Sequence, residues 1–218
     1  MKKLLQLLTL SCLFPALSLA GTPPATLMEL AGVRPAPAAL SQSVVILIDG
    51  QREYVDGALP LPGIKPALTE GARLLQRART AGTPVIHVVH RGGGSLFNPQ
   101  SPYFAIAGPW SPVEDETVIE KRLPNAFAGT RLNEAIRATG RKQLIIVGFM
   151  THMCVSSTVR AALDRGYATT LVDAATATRD LPDGKGGTIP AETVQQASLA
   201  ALADRFAVVV QGTDDLPD

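Results

Sequence analysis

The sequence predicts an α/β fold: a doubly wound, three-layer α/β/α domain on a mainly parallel sheet of about six strands. Short, continuous apolar runs rich in Val, Ile and Leu read as strands buried on both faces. Between them lie stretches with apolar residues at helical spacing, several closed by glycine. Strand and helix then alternate in order, which is the pattern of parallel strands joined by crossover helices.

Taken in chain order, Gly21 to Gln42 is a Pro/Ala-rich lead-in with one helical turn expected near Thr26–Ala31. Val44–Ile48 is the first strand, stopped by Asp49-Gly50. Ala67–Ala81 carries Leu68, Leu74, Leu75 and Ala78 on one helical face and ends at Gly82. Pro84–Val89 is the second strand, a long loop follows from Arg91 to Glu116, and Thr117–Ile119 is the third. A helix over Gly129–Thr139, a strand at Leu144–Val147, a helix over Val155–Arg165 and a strand at Ala168–Val172 continue the alternation. A glycine-rich loop leads into a helix at Ala191–Ala203, and Ala207–Val210 is the last strand. Neither an internal repeat nor a second domain is visible, so residues 43–218 read as one domain.

Residues 1–20 read as a signal peptide. Met1-Lys2-Lys3 is a basic start, an apolar run follows from Leu4 to Leu17, and Ser18-Leu19-Ala20 places small residues at −3 and −1 before Gly21. Pro15 cuts the run well below the roughly 20 residues that span a bilayer. Thr9 stands where a lipobox prefers leucine, which argues against lipidation at Cys12. Periplasmic or secreted location is the expectation. Cleavage removes Cys12 and leaves Cys154 with no intramolecular partner in an oxidising compartment, so it is either buried and inert or there to react.

Composition narrows the function. A net charge of +1 excludes binding of nucleic acid through a positive field, and 5% aromatics offer few stacking platforms. Two cysteines make no disulfide scaffold. A small-molecule substrate is the expected partner. In open α/β sheets such ligands bind beyond the carboxyl ends of the strands. There the sequence puts Asp49, then His90 and Arg91, then Glu120 and Lys121, then Thr151, His152 and Cys154, then Asp173. A carboxylate, a lysine and a thiol therefore converge on one edge. Cys154 at a helix N-terminus, with Lys121 nearby, is expected to favour the thiolate. Asp49 can relay its proton. Taken singly, Asp49 also reads as a strand-end cap, Lys121 as a surface lysine and Cys154 as a core thiol. His152 reads either as half of a Cys-His pair or as a turn residue facing solvent or a neighbouring subunit.

The chain resembles the isochorismatase-like cysteine hydrolases, which include nicotinamidases and related amidohydrolases. The resemblance rests on Asp49-Gly50-Gln51-Arg52-Glu53-Tyr54, on Lys121 followed by Ala126-Phe127-Ala128-Gly129-Thr130, and on Gly148-Phe149-Met150-Thr151-His152-Met153-Cys154-Val155. Thr158, Gly166-Tyr167 and Asp173-Ala174 fit as well, and the likeness runs over about residues 43 to 210. It implies a catalytic triad of Asp49, Lys121 and Cys154. It also implies a non-proline cis peptide before Met150 and an oxyanion hole from the Met150 and Cys154 N–H groups. A homo-oligomer, dimer or tetramer, is implied too. Nicotinamidases hold a metal with an Asp-x-His pair and a further His after the second strand. This chain has His87-Val88-Val89-His90 there, with no carboxylate nearby in sequence and two histidines on opposite strand faces. No metal and no cofactor are expected.

The reading is thus a cysteine hydrolase of a small amide or related C–N bond. Gln51, Tyr54, Phe97, Trp110 and Phe127 are expected to contact the substrate. Isochorismatase-type vinyl-ether cleavage and a non-catalytic binding protein are the alternatives.

Overall fold

The computed structural model describes residues 23–113 and 115–218; the predicted signal peptide lies outside them. A four-residue helix, α1 (Leu27–Leu30), is closed by a capping box between Thr26 and Glu29. The central sheet has six strands: β1 (Ser43–Ile48), β2 (Val85–His90), β3 (Thr117–Lys121), β4 (Gln143–Phe149), β5 (Ala168–Ala177) and β8 (Val208–Val210). Their spatial order is β3-β2-β1-β4-β5-β8, and every neighbouring pair is parallel. The remaining strands, β6 (Leu181–Pro182) and β7 (Thr188–Ile189), form a small antiparallel pair beyond β5.

Four longer helices cover the faces: α2 (Ile64–Thr80), α3 (Leu132–Ala138), α4 (Ser156–Asp164) and α5 (Ala191–Ala203). Alternation along β1 divides the core in two. Val45 and Leu47 pack with Leu68, Leu74 and Leu75 of α2, while Val44, Ile46 and Ile48 pack with Leu132 and Ile136 of α3 and Val159 of α4. Helix α2 buries Ala67, Leu68, Gly71, Leu74, Leu75 and Ala78, which recur at helical spacing. It stops at Gly82, whose φ of +64° meets the left-handed conformation that closes a helix.

Every predicted strand and helix is present; apart from the small β6–β7 pair, which forms in the predicted glycine-rich loop, the differences lie at the ends. Helix α2 begins at Ile64 because Pro66 sits in its first turn, where a missing N–H costs nothing. Strand β3 continues to Lys121, so Glu120 and Lys121 lie within the strand rather than after it. Strand β5 continues past Asp173 to Ala177 through a register shift against β4. Asp173 is consequently held inside the strand, its carboxylate accepting from the Gln195 amide at 3.0 Å, away from the cluster at the sheet edge.

Two glycines permit close approaches. Gly71 lets the Trp110 indole lie on α2, where its Nε1–H donates to the Leu68 carbonyl at 2.9 Å. Gly148, at φ +130°, faces Ile48 across the β1–β4 pair, and a Cβ there would collide with the Ile48 carbonyl oxygen. Gly148→Ala is therefore expected to lower stability by about 2–3 kcal/mol, combining a disfavoured φ with overpacking. A urea unfolding curve with a lower midpoint and unchanged slope is the check.

Candidate active site

The strand order reverses between β1 and β4, and the crevice outside their carboxyl ends is where such sheets bind ligands. Asp49 leaves β1 directly, at a left-handed φ of +51°, which a short polar side chain tolerates best. A single π-type turn, Thr151–Val155, follows β4 and carries Cys154 into α4. The sequence places Cys154 at the start of that helix; the structure puts it two residues before the first α-helical residue, in a turn of the kind found often at functional sites. The Phe149–Met150 peptide bond is cis, as the resemblance implies. Thr151 Oγ1 donates to the Ala177 carbonyl at 3.0 Å, and the His152 ring bonds the Thr178 hydroxyl, so the turn is pinned to the end of β5. That bond engages the His152 Nδ1 with Thr178 rather than with the thiol.

Lys121 arrives from β3. Its neighbour Glu120 is exposed and Ile119 is buried, so the strand alternation turns Lys121 inward. Lys121 and Asp49 are both 0% exposed and Cys154 is 4% exposed. The Lys121 ammonium lies 2.7 Å from Asp49 Oδ2, 3.2 Å from Cys154 Sγ and 3.1 Å from His90 Nδ1. Its contact with Asp49 is an ion pair between two side chains with no exposed surface. At that separation, in a sealed site, charge attraction decides the geometry.

Burial pushes the Cys154 thiol up to about 12, with the Asp49 carboxylate pushing the same way and Lys121 opposing them. The resting sulfur is thus a neutral thiol. This corrects the sequence-based expectation of a thiolate: desolvation and a neighbouring carboxylate outweigh the lysine. Burial also raises the Asp49 carboxyl, against the pull of Lys121.

The remaining residues fall into two groups. Tyr54 and Phe97 stay beside the cluster, their rings 5.0 Å apart, with Phe97 meeting the His90 ring edge-on at 5.2 Å. Three others depart from the expectation of substrate contact. Gln51 is fully engaged: its Nε2 donates to the His90 and Phe104 carbonyls at 3.0 Å each, and its Oε1 accepts from the His90 N–H at 2.7 Å. Trp110 is wholly buried between α2 and Phe149, whose ring it stacks on at 5.1 Å, because Gly71 leaves it room. Phe127 stacks on Tyr167 under the Arg165 guanidinium, toward the C-terminal end of α4 and away from the thiol. Glu53, which sequence reading passed over, is buried and accepts from the Ala58 and Phe97 N–H groups, holding Phe97 in place. Only its position inside the Asp49–Tyr54 motif hinted at such a role.

The histidines do not fit the metal arrangement of nicotinamidases. His87 lies on the other face of β2 and bonds Glu116 at 2.8 Å, a carboxylate that sequence proximity did not reveal. His90 joins Asp49 and Cys154 in a set whose donor atoms lie within 4.8 Å of one another, a spacing that could hold an ion. The Lys121 ammonium is already within bonding reach of all three, so the place of a cation is filled by the chain itself.

A doubly wound parallel sheet with a buried thiol, carboxylate and lysine at its switch point has the frame of a small-molecule hydrolase. The family model of the Isochorismatase domain matches residues 43–214, and the chain belongs to the isochorismatase family of hydrolases. The crystal structure of an isochorismatase from Pseudomonas putida KT2440 is 47% identical, with a TM-score of 0.85 over 88% of this chain and 99% of that one. A secreted isochorismatase effector of Verticillium dahliae is 34% identical over 85% of this chain and 96% of its own length. A streptothricin hydrolase of Streptomyces noursei is 33% identical over 76% of this chain and 61% of its own.

Proposed function

We propose that the protein is an exported cysteine hydrolase that opens a small amide or related C–N bond through a thioester on Cys154. The observation that carries this reading is the fully buried Lys121–Asp49 pair against the Cys154 sulfur. Burying two charges costs several kcal/mol each before their attraction offsets it, and apolar residues of similar size would do as well for stability alone. Chemistry accounts for the pair better than packing does.

As substrate arrives, Asp49 takes the Cys154 proton and the sulfur attacks the carbonyl carbon. The Met150 and Cys154 N–H groups hold the oxyanion. Collapse breaks the C–N bond, and Asp49 gives its proton to the departing amine. Water then attacks the thioester and loses a proton to Asp49. The C–S bond breaks, the acid leaves, and the thiol recovers its proton from Asp49. Lys121 keeps Asp49 charged enough to act as base.

An amidohydrolase among the relatives supports C–N chemistry: a maleamate amidohydrolase of Pseudomonas putida, 27% identical over 59% of this chain. The cysteine favours it over vinyl-ether cleavage. The test is intact-mass analysis after exposure to a mixed library of small amides, with a trapped acyl adduct on Cys154 expected. Turnover of an amide with no adduct, even on rapid acid quench, would overturn the covalent route.

Export rests on the Lys2-Lys3 start, the apolar run and the Ser18-Leu19-Ala20 site, with the secreted Verticillium relative in support. N-terminal sequencing of protein from its native host is expected to begin at Gly21; a cytosolic product starting at Met1 would refute it.

A further inference from the structure

Lys121 has three N–H donors and, in this site, three acceptors within reach. Two belong to the cluster already described, and the third is His90 Nδ1 at 3.1 Å. His90 and Lys121 are register partners on adjacent parallel strands, so their side chains rise from the same face of the sheet. The His90 backbone is clamped on both sides by Gln51, and the Arg91 N–H ties it to the Lys121 carbonyl at 2.8 Å. Phe97 fixes the ring from its edge. Such restraint on a half-buried histidine is more than a strand end needs.

We propose that His90 is a positioning residue for this chemistry: its unprotonated Nδ1 accepts the third N–H of Lys121, which aims the ammonium at Asp49 and Cys154 and locks the imidazole in the Nε2–H tautomer. The proposal rests on the catalytic reading of Lys121 given above. An ammonium with only two acceptors would rotate or recruit water in their place, and its charge would no longer sit fixed against the sulfur. Burial first, and then the Lys121 charge, hold the His90 ring down at about 4, so it is neutral at neutral pH and its Nδ1 lone pair is available.

Two measurements on the full mature protein test this. Histidine ring 15N spectra at pH 7, with His90 assigned through its loss in a variant, are expected to show Nδ1 unprotonated and Nε2 protonated; the reverse tautomer would overturn the proposal. The second compares His90→Asn with His90→Leu. The Asn side-chain oxygen can take the place of Nδ1, whereas Leu fills similar space and accepts nothing. His90→Leu is expected to slow alkylation of Cys154 by iodoacetamide about tenfold at pH 7, and His90→Asn to recover to within about threefold of the parent. Equal rates for the two variants would overturn it, whether both are slow or both unchanged. Melting temperatures taken alongside separate a folding defect from loss of the acceptor. Failure of the underlying reading looks different: no acyl adduct would form on Cys154 in the parent protein, while the tautomer and the Asn–Leu difference would persist.

Discussion

Cys154→Ala is expected to reduce turnover by on the order of 10⁴-fold or more, the scale seen when a covalent nucleophile is removed. Its melting temperature is expected to stay within a few degrees of the parent. The two outcomes have separate causes. The thiol is buried beside Val155 and Val159 in one half of the core, so losing one sulfur leaves a small void and costs about 1 kcal/mol. The buried ion pair survives, because Lys121 keeps Asp49 and His90 as partners. The nearby His152 is tied to Thr178, and Asp49 is needed as base. Turnover of the amide identified by adduct formation, measured with differential scanning fluorimetry on the same samples, provides the check. If Cys154→Ala kept activity within tenfold, water would be the nucleophile and the thiol a bystander.

Legibility in the sequence followed the range over which the physics acts. Strands and helices came through because each is written locally, in continuous apolar runs and helical spacing closed by Gly82, Gly140 and Gly166. Asp49 and Cys154 came through because the ends of parallel strands must meet at one edge. Lys121 was harder: its inward turn depends on β3 running on to that residue, which pairing with β2 decides. What stayed hidden was set by partners distant in the chain. Trp110 reads as a pocket aromatic until Gly71, on a different element, offers it a seat on α2. Gln51 reads as a substrate contact until the His90 and Phe104 backbones come into reach. The protonation of Cys154 misled for the same reason, since a helix start is visible in sequence whereas burial beside a carboxylate is not.

Lys121→Ala is expected to cut turnover at neutral pH by at least about a hundredfold, the scale of lost acid–base help, and to destabilise the fold by about 3–5 kcal/mol. A surface lysine would give neither, with changes of a few tenths of a kcal/mol, but Lys121 is 0% exposed. Its removal leaves the Asp49 carboxylate buried without a counter-charge. Burial already raises the Asp49 carboxyl above its ordinary 3.8, and Lys121 is the largest influence holding it down. Without the lysine Asp49 rises further and becomes an acid at rest, unable to take the thiol proton. The sign of the pH dependence follows. A carboxyl raised in the folded state binds its proton more tightly there than in the unfolded chain. Its favourable contribution is fully present below the unfolded value and is lost as pH climbs through the raised folded value. The stability gap between parent and Lys121→Ala is therefore expected to widen as pH rises from that of an ordinary carboxyl. The acid limb of the rate profile should move to higher pH as well. Lys121→Arg keeps the charge but brings a larger planar fork into a site with no exposed surface, so its rescue should be partial at most. Urea melts and turnover across pH for the parent and both variants decide the matter. Parallel stability curves with an unmoved acid limb would remove Lys121 from the catalytic centre.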